Sequence, residues 1–238
     1  MLEAGARAGA AAGIAGPVAF TSAWIASSLR QTGYPAAEIQ LSGLAAPDAR
    51  DPWIMVAGFA VLGGCTVAFG AALHDALGHA AGGRGRWRGG VGQGRWRGGA
   101  GLAPRLIQGA GLLTIAVGLL RRDRMLLTPG SVSWHNHAHD VISAVIYADL
   151  VAAQVLLAAR FGRDPGPGAE DWRRWRPWML ASGLATGAAL VVFAADTSAA
   201  GAGVLQRVAV TIPLVAIAAI AARLLRTQTR TPVRSGWP

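Results

Sequence analysis

The sequence has no lysine, a single cysteine and few charged groups of either sign. With one thiol, Cys65, no intramolecular disulfide can form, and cysteine usage carries no information about redox compartment. Charged residues make up 14% of the 238, where soluble domains carry roughly a quarter. Hydrophobic residues make up 53%, and mean hydropathy is +0.38. That balance excludes a disordered chain, which requires low hydrophobicity. The apolar residues run in long blocks rather than in the periodic stripes of a water-soluble fold, so lipid is the expected solvent. Aromatics are also scarce, at 7%, but Trp accounts for nine of them.

All 22 basic residues are arginine, against 12 acidic residues, which gives a net charge of +10 and an isoelectric point near 11.6. Such a balance raises the question of nucleic acid. The placement of the arginines argues against it. They sit between and beside the apolar blocks, where a membrane protein carries them for topology. The expected partners are membrane lipids, with no nucleic acid.

Six stretches meet the criterion of about 20 mostly apolar residues, near 9–29, 54–77, 102–120, 137–159, 178–195 and 204–225. The expected fold is all-α: a polytopic membrane bundle of six transmembrane helices, forming one domain over residues 1–238. No convincing cleavage motif follows the first block, so it is expected to stay as a helix rather than leave as a signal peptide. Pro17, Pro213 and frequent glycines are tolerated in such helices. If the N-terminus is cytoplasmic, sixteen arginines fall on the cytoplasmic side and five on the other, with Arg207 at the start of the last span. Both termini are then cytoplasmic, and the expected location is the bacterial inner membrane. Trp24, Trp53, Trp134 and Trp178 lie near span ends, where indoles favour headgroups.

Two segments stand outside this pattern. Residues 82–101 repeat GRWRGG and read as a flexible cytoplasmic loop. The loop either touches anionic headgroups or merely supplies positive charge. Residues 170–178, EDWRRWRPW, place Trp172, Trp175 and Trp178 at every third position, which suits a short interfacial helix anchored at the membrane surface. A cytoplasmic tail is expected over 226–238.

The densest polar cluster is Trp134-His135-Asn136-His137-Ala138-His139-Asp140, at the mouth of span four. On a helix, His135, Asn136, His139, Asp140, Ser143 and Tyr147 fall within an arc of about 140°, and Gln154 extends the stripe. Val141, Val145, Ala148, Ala152 and Val155 occupy the other side. A polar face toward the bundle follows. His135 and His139 are four apart and could share a metal, but spacing alone completes no ligand set. The competing reading is that these residues cap the helix and bond the adjoining loops. Asp123, Asp196, Gln206 and Arg207 converge on the same side. Ionisable groups at membrane depth are expensive and usually paired, so Arg207 is expected to meet Asp196 or Asp140. Asp149 lies near the middle of span four, turned away from the polar stripe.

The chain resembles a bacterial integral-membrane family catalogued as domain of unknown function 998. The features that carry the resemblance are AGIAGPVAFTSAW in span one and DPWIMVAGFAVLGG at the start of span two. To these are added Asp123 ahead of the His135/His139 pair, and Gly203-Val204-Leu205-Gln206-Arg207 opening the last span. The resemblance covers nearly the whole chain apart from the glycine–arginine loop and the tail. Asn136 stands where the family tends to have glycine. The resemblance implies six helices and an outward polar cluster, and no established reaction.

Two functions fit these residues. One is a non-enzymatic bundle with an outward-facing pocket for a lipid, isoprenoid or other amphiphile. The candidate ligand-binding residues are Asp123, His135, His139, Asp140, Tyr147, Asp196, Gln206 and Arg207. The other is an intramembrane enzyme, either an acid-initiated isoprenoid cyclase or a metal-assisted lipid hydrolase. A transporter fits less well, because no inverted repeat is visible. No cofactor is expected.

Overall fold

Backbone amides and carbonyls cannot be left unpaired in lipid, so apolar blocks of this length fold as helices that satisfy their own backbone. The computed structural model describes residues 4–81, 101–125, 132–162, 172–195 and 200–229. Six helices result: α1 (Ala4–Arg30), α2 (Trp53–Ala81), α3 (Leu102–Leu119), α4 (Trp134–Phe161), α5 (Arg176–Ala195) and α6 (Ala202–Thr229). All six are long and apolar enough to cross a membrane, and no strand occurs among the described residues. Each expected span falls on one helix, with ends shifted by a few residues. α6 runs through Thr229, so the first residues of the expected tail are helical. Residues 82–100, Asp196 and the tail from 230 onward lie outside the described residues.

Each helix packs against its neighbours in sequence, and α1 closes the ring against α6. Neighbours run antiparallel: Gly16 meets Cys65 while Gly58 meets Ala23. The start of α1 and the end of α6 therefore share one end of the bundle, where Gly13 approaches Ala221. α2 and α3 touch glycine on glycine. A Cβ added at Gly63 would lie 2.5 Å from the Gly111 carbonyl, and one added at Gly111 would lie 2.7 Å from that of Gly63. Where lipid surrounds the helices, such close backbone approach and dispersion drive association. Val18, Leu112, Val141, Leu184 and Val215 point outward, as side chains solvated by acyl chains should.

The core has two halves. At the end holding the helix termini Phe69, Leu73, Leu157, Phe161 and Met179 interlock. Trp172 stacks on Phe161 with ring centroids 4.8 Å apart, and Arg223 lies over the Trp172 ring at 4.5 Å. Trp172 and Trp175 thus pack on the bundle and close this end, while Trp178 is half-exposed. The segment expected as a short interfacial helix packs partly on the bundle and leads into α5.

At the opposite end the chain between α1 and α2 folds inward. A short 3-10 helix, Leu41–Ala45, is buried at all five positions and packs with Phe20, Met55, Phe59 and Leu214. It acts as a plug in the ring. The sequence reads this stretch only as an outer loop.

The Gly63–Gly111 contact sets the α2–α3 distance, so Gly111→Val should cost about 1–3 kcal/mol by overpacking. Leu184→Val, on the lipid face, should change stability by less than about 0.5 kcal/mol. Thermal melts of the two variants in detergent check this difference.

Candidate functional site

Two arginines fasten the plug. Arg207, one turn into α6, donates from Nη1 to the carbonyls of Ala36 (2.7 Å), Ile39 (3.1 Å) and Gly203 (2.7 Å). Its Nη2 donates to the Tyr34 hydroxyl at 2.6 Å, and the guanidinium lies over the rings of Trp24 and Tyr34. The first free amides of α6 are met by the same loop: Gly203 N–H donates to the Ala37 carbonyl at 2.8 Å. Helix N-termini leave such amides without intrahelical partners, so a loop carbonyl here replaces a capping side chain. Only glycine fits at 203, because a Cβ there would sit 2.4 Å from the Ala36 oxygen. Among the described residues, Arg207 therefore meets no carboxylate; Asp140 pairs with Asn136 and Arg122 instead, and Asp196 lies outside the described residues. Backbone carbonyls and two aromatic rings satisfy it instead, and the charge-assisted bonds tie loop to helix.

Arg122 fastens the plug from the other side. It is buried, contacts Gln40 Oε1 through Nη1, and donates from Nε to Asn136 Oδ1 at 3.3 Å. Asn136 in turn donates to Asp140 Oδ2 at 2.9 Å, and Arg122 Nη2 lies 3.9 Å from Asp140 Oδ1. Burial pushes the Arg122 guanidinium below its ordinary value, while Asp140 and Asp123 oppose that shift. Asn136 is thus the buried link between Arg122 and Asp140. Asp140 itself stays on the rim, with its side chain 52% exposed.

Asp123 organises the start of α4. It accepts from the Ser133 hydroxyl at 2.5 Å and the Ser133 N–H at 2.7 Å. Ser133 is the N-cap, and its oxygen accepts from Asn136 N–H. The Ser133 hydroxyl, then its amide, hold the Asp123 carboxyl below the usual carboxylate range, with His135 and Arg122 adding to the effect.

The two histidines proposed as a metal pair have different surroundings. His135 is exposed and stacks on Trp134 with centroids 3.7 Å apart. His139 is buried, and its Nδ1 lies 2.7 Å from the Leu120 carbonyl. That carbonyl is one of those that α3 leaves without a helical donor, so His139 caps the C-terminus of α3 by donating from Nδ1. No group of three or more His, Cys, Asp or Glu able to hold a metal ion occurs among the described residues.

Beneath the plug lies a chamber of about 80 Å³. α4 turns His139, Ser143 and Tyr147 into it, as the polar stripe predicts, and α6 adds Gln206. The sequence reading missed Ser42, Thr66 and Thr114, which complete its polar groups. An isolated hydroxyl in an apolar span carries no spacing signal of its own. The remaining wall is apolar, from residues such as Phe59, Leu62, Val117 and Leu214. Gln206 is buried, and its Oε1 has no hydrogen-bond partner among the described residues. Asp149 lies apart from the chamber, half-buried on α4 beside Gly109 of α3. Asp196 cannot be placed, being outside the described residues.

A ring of six membrane-crossing helices, closed at one end by a fastened loop over a mostly apolar chamber, defines a multi-pass integral membrane protein. The chain belongs to the family described as Protein of unknown function (DUF998), whose model matches residues 14–223. No curated protein and no solved structure matches it.

Two outcomes follow. Arg207→Gln leaves loop carbonyls short of donors and should lower stability by about 1–3 kcal/mol, with Arg207→Lys intermediate because a single ammonium cannot reproduce the fork. Melting temperature, together with protease cleavage around residues 36–46, reads this out. Asp123, with a folded pKa below the unfolded value of about 3.9, adds stability that is present above that value and lost as pH falls through the folded one. Asp123→Asn should therefore flatten the stability profile below about pH 4, and Ser133→Ala should move the wild-type loss to higher pH.

Proposed function

We propose that this protein holds a lipid-like or amphiphilic ligand in the chamber beneath the plug. One observation carries the reading: a buried Gln206 acceptor without a partner among the described residues, in a mostly apolar wall. Buried polar atoms are nearly always paired, so an unpaired one at a cavity calls for a donor from whatever fills it. An apolar concavity with a few placed polar groups is the usual form of a small-molecule site. In this reading His139, Tyr147 and Gln206 face the ligand. Asp123, His135 and Asp140 lie at the start of α4 beside the mouth, and Arg207 holds the plug. The ligand comes from the membrane itself, as a lipid or isoprenoid.

The arginine distribution supports placing both termini in the cytoplasm, with the plug on the far side of a bacterial inner membrane. The enzyme readings draw less support from the site. A cyclase started by a carboxylic acid needs that acid over the chamber, and no Asp or Glu among the described residues lines it. A metal-assisted hydrolase rested on His135 and His139, which do not converge.

Native mass spectrometry of the detergent-purified protein tests the proposal. Wild-type protein should carry a bound amphiphile. Val210→Phe and Ser143→Leu, which fill the chamber from α6 and α4, should lose that adduct while remaining folded. A wild-type protein free of any such adduct, or one retained unchanged in both folded variants, contradicts the reading.

A further inference from the structure

The chamber also constrains what its occupant's head group can be; this inference rests on the chamber being the ligand site. Three observations bear on it. First, none of the described residues lining the chamber is Arg, Asp or Glu. The two arginines nearest the mouth are already engaged: Arg207 with loop carbonyls and Tyr34, Arg122 with Gln40, Asn136 and Asp140. A phosphate or carboxylate placed here would meet no arginine, at a large desolvation cost. Second, the buried atom of the chamber-lining residues that lacks a partner among the described residues is an acceptor, Gln206 Oε1, so a head group that donates is the one that satisfies it. The hydroxyl of Thr114 is already spent on the Ala110 carbonyl at 2.7 Å, and His139 Nδ1 on Leu120. Third, the space is small. At about 80 Å³, where roughly 10–15 Å³ holds one water, it takes a head group and its first several carbons.

The rest of a longer chain must therefore leave the chamber, and the fold offers one direction. The aqueous end is covered by the plug, whose five residues are buried. Chamber residues come from α4 and α6, and none from α5, the helix between them in the ring. α5 packs through Met179, Ser182, Gly183 and Thr186, and none of residues 187–195 is buried. Its second half thus contributes no buried side chain, and Val191 and Val192 are exposed.

We infer that the chamber takes the uncharged hydroxyl end of a long-chain alcohol, donated to Gln206 Oε1, with the chain passing between α4 and α6 into the bilayer. Straight-chain and isoprenoid alcohols share this chemistry.

The full chain in lipid nanodiscs is labelled with a diazirine-bearing hexadecanol, and competition is measured with unlabelled hexadecanol, farnesol, hexadecyl methyl ether and hexadecyl phosphate. Label should fall on chamber residues of α4 and α6. Either alcohol should displace it, hexadecanol marking a straight-chain site and farnesol an isoprenoid one. The ether, which accepts but cannot donate, and the phosphate should compete about tenfold less well. Gln206→Leu should weaken labelling by a similar factor, and Gln206→Glu, which keeps the acceptor, should restore part of it if the Leu variant folds poorly. Equal competition by ether or phosphate overturns the head-group inference and leaves the chamber as a ligand site. Absence of any chamber label, as in a cavity holding only water, overturns both.

Discussion

The structure depends on how Arg207 is satisfied. A guanidinium at the edge of a lipid-solvated bundle must keep its charge and needs its donors filled. Here three carbonyls and a phenol hydroxyl do that, and two of those carbonyls belong to the loop after α1. The same contacts fix the loop, because irregular backbone at membrane depth is tolerated only where protein satisfies it. Once held, the loop turns its apolar 3-10 helix inward and roofs the chamber. One side chain thereby links the polar chemistry of the rim to the apolar space beneath it.

Arg122 makes the arrangement two-sided. It reaches the loop at Gln40 while standing on the Asn136–Asp140 pair at the start of α4. Asp123 and Ser133 position that start, and His139 ties it to the end of α3. The polar residues near the mouth therefore act mainly on backbone ends: an N-cap, a C-cap and a plugged loop. What remains for a ligand is a short list, with Gln206 foremost. This division separates residues that build the site from residues that face into it.

Much of the fold was legible in the sequence, since lipid imposes a length and an apolar content that long blocks reveal directly. The inward stripe of α4 was legible for the same reason: Asn136, His139, Tyr147 and Gln154 are buried, and Val141, Val145 and Val155 are exposed. The plug was not. Leu41–Ala45 is too short for periodicity to mark, and what holds it lies far away in sequence. Arg207 to Tyr34 spans 173 positions, and Arg122 to Gln40 spans 82. Charge pairing suggested an acidic partner for Arg207; among the described residues, backbone carbonyls and the Tyr34 hydroxyl meet it. Helical spacing put His135 and His139 on one face, but stacking on Trp134 holds one ring outside while the orphan carbonyl of Leu120 draws the other in.

Amide hydrogen exchange on the full chain in lipid nanodiscs tests the central claim, that a fastened loop plugs a lipid-solvated ring. The amides of Gly43 and Ala46 in the plug, and of Gly203 and Val204 where the loop caps α6, are hydrogen-bonded to backbone carbonyls. They should exchange as slowly as the helical amides beside them and accelerate together in Arg207→Gln. Exchange of the plug amides at the rate of an open loop in the wild-type protein would contradict the account.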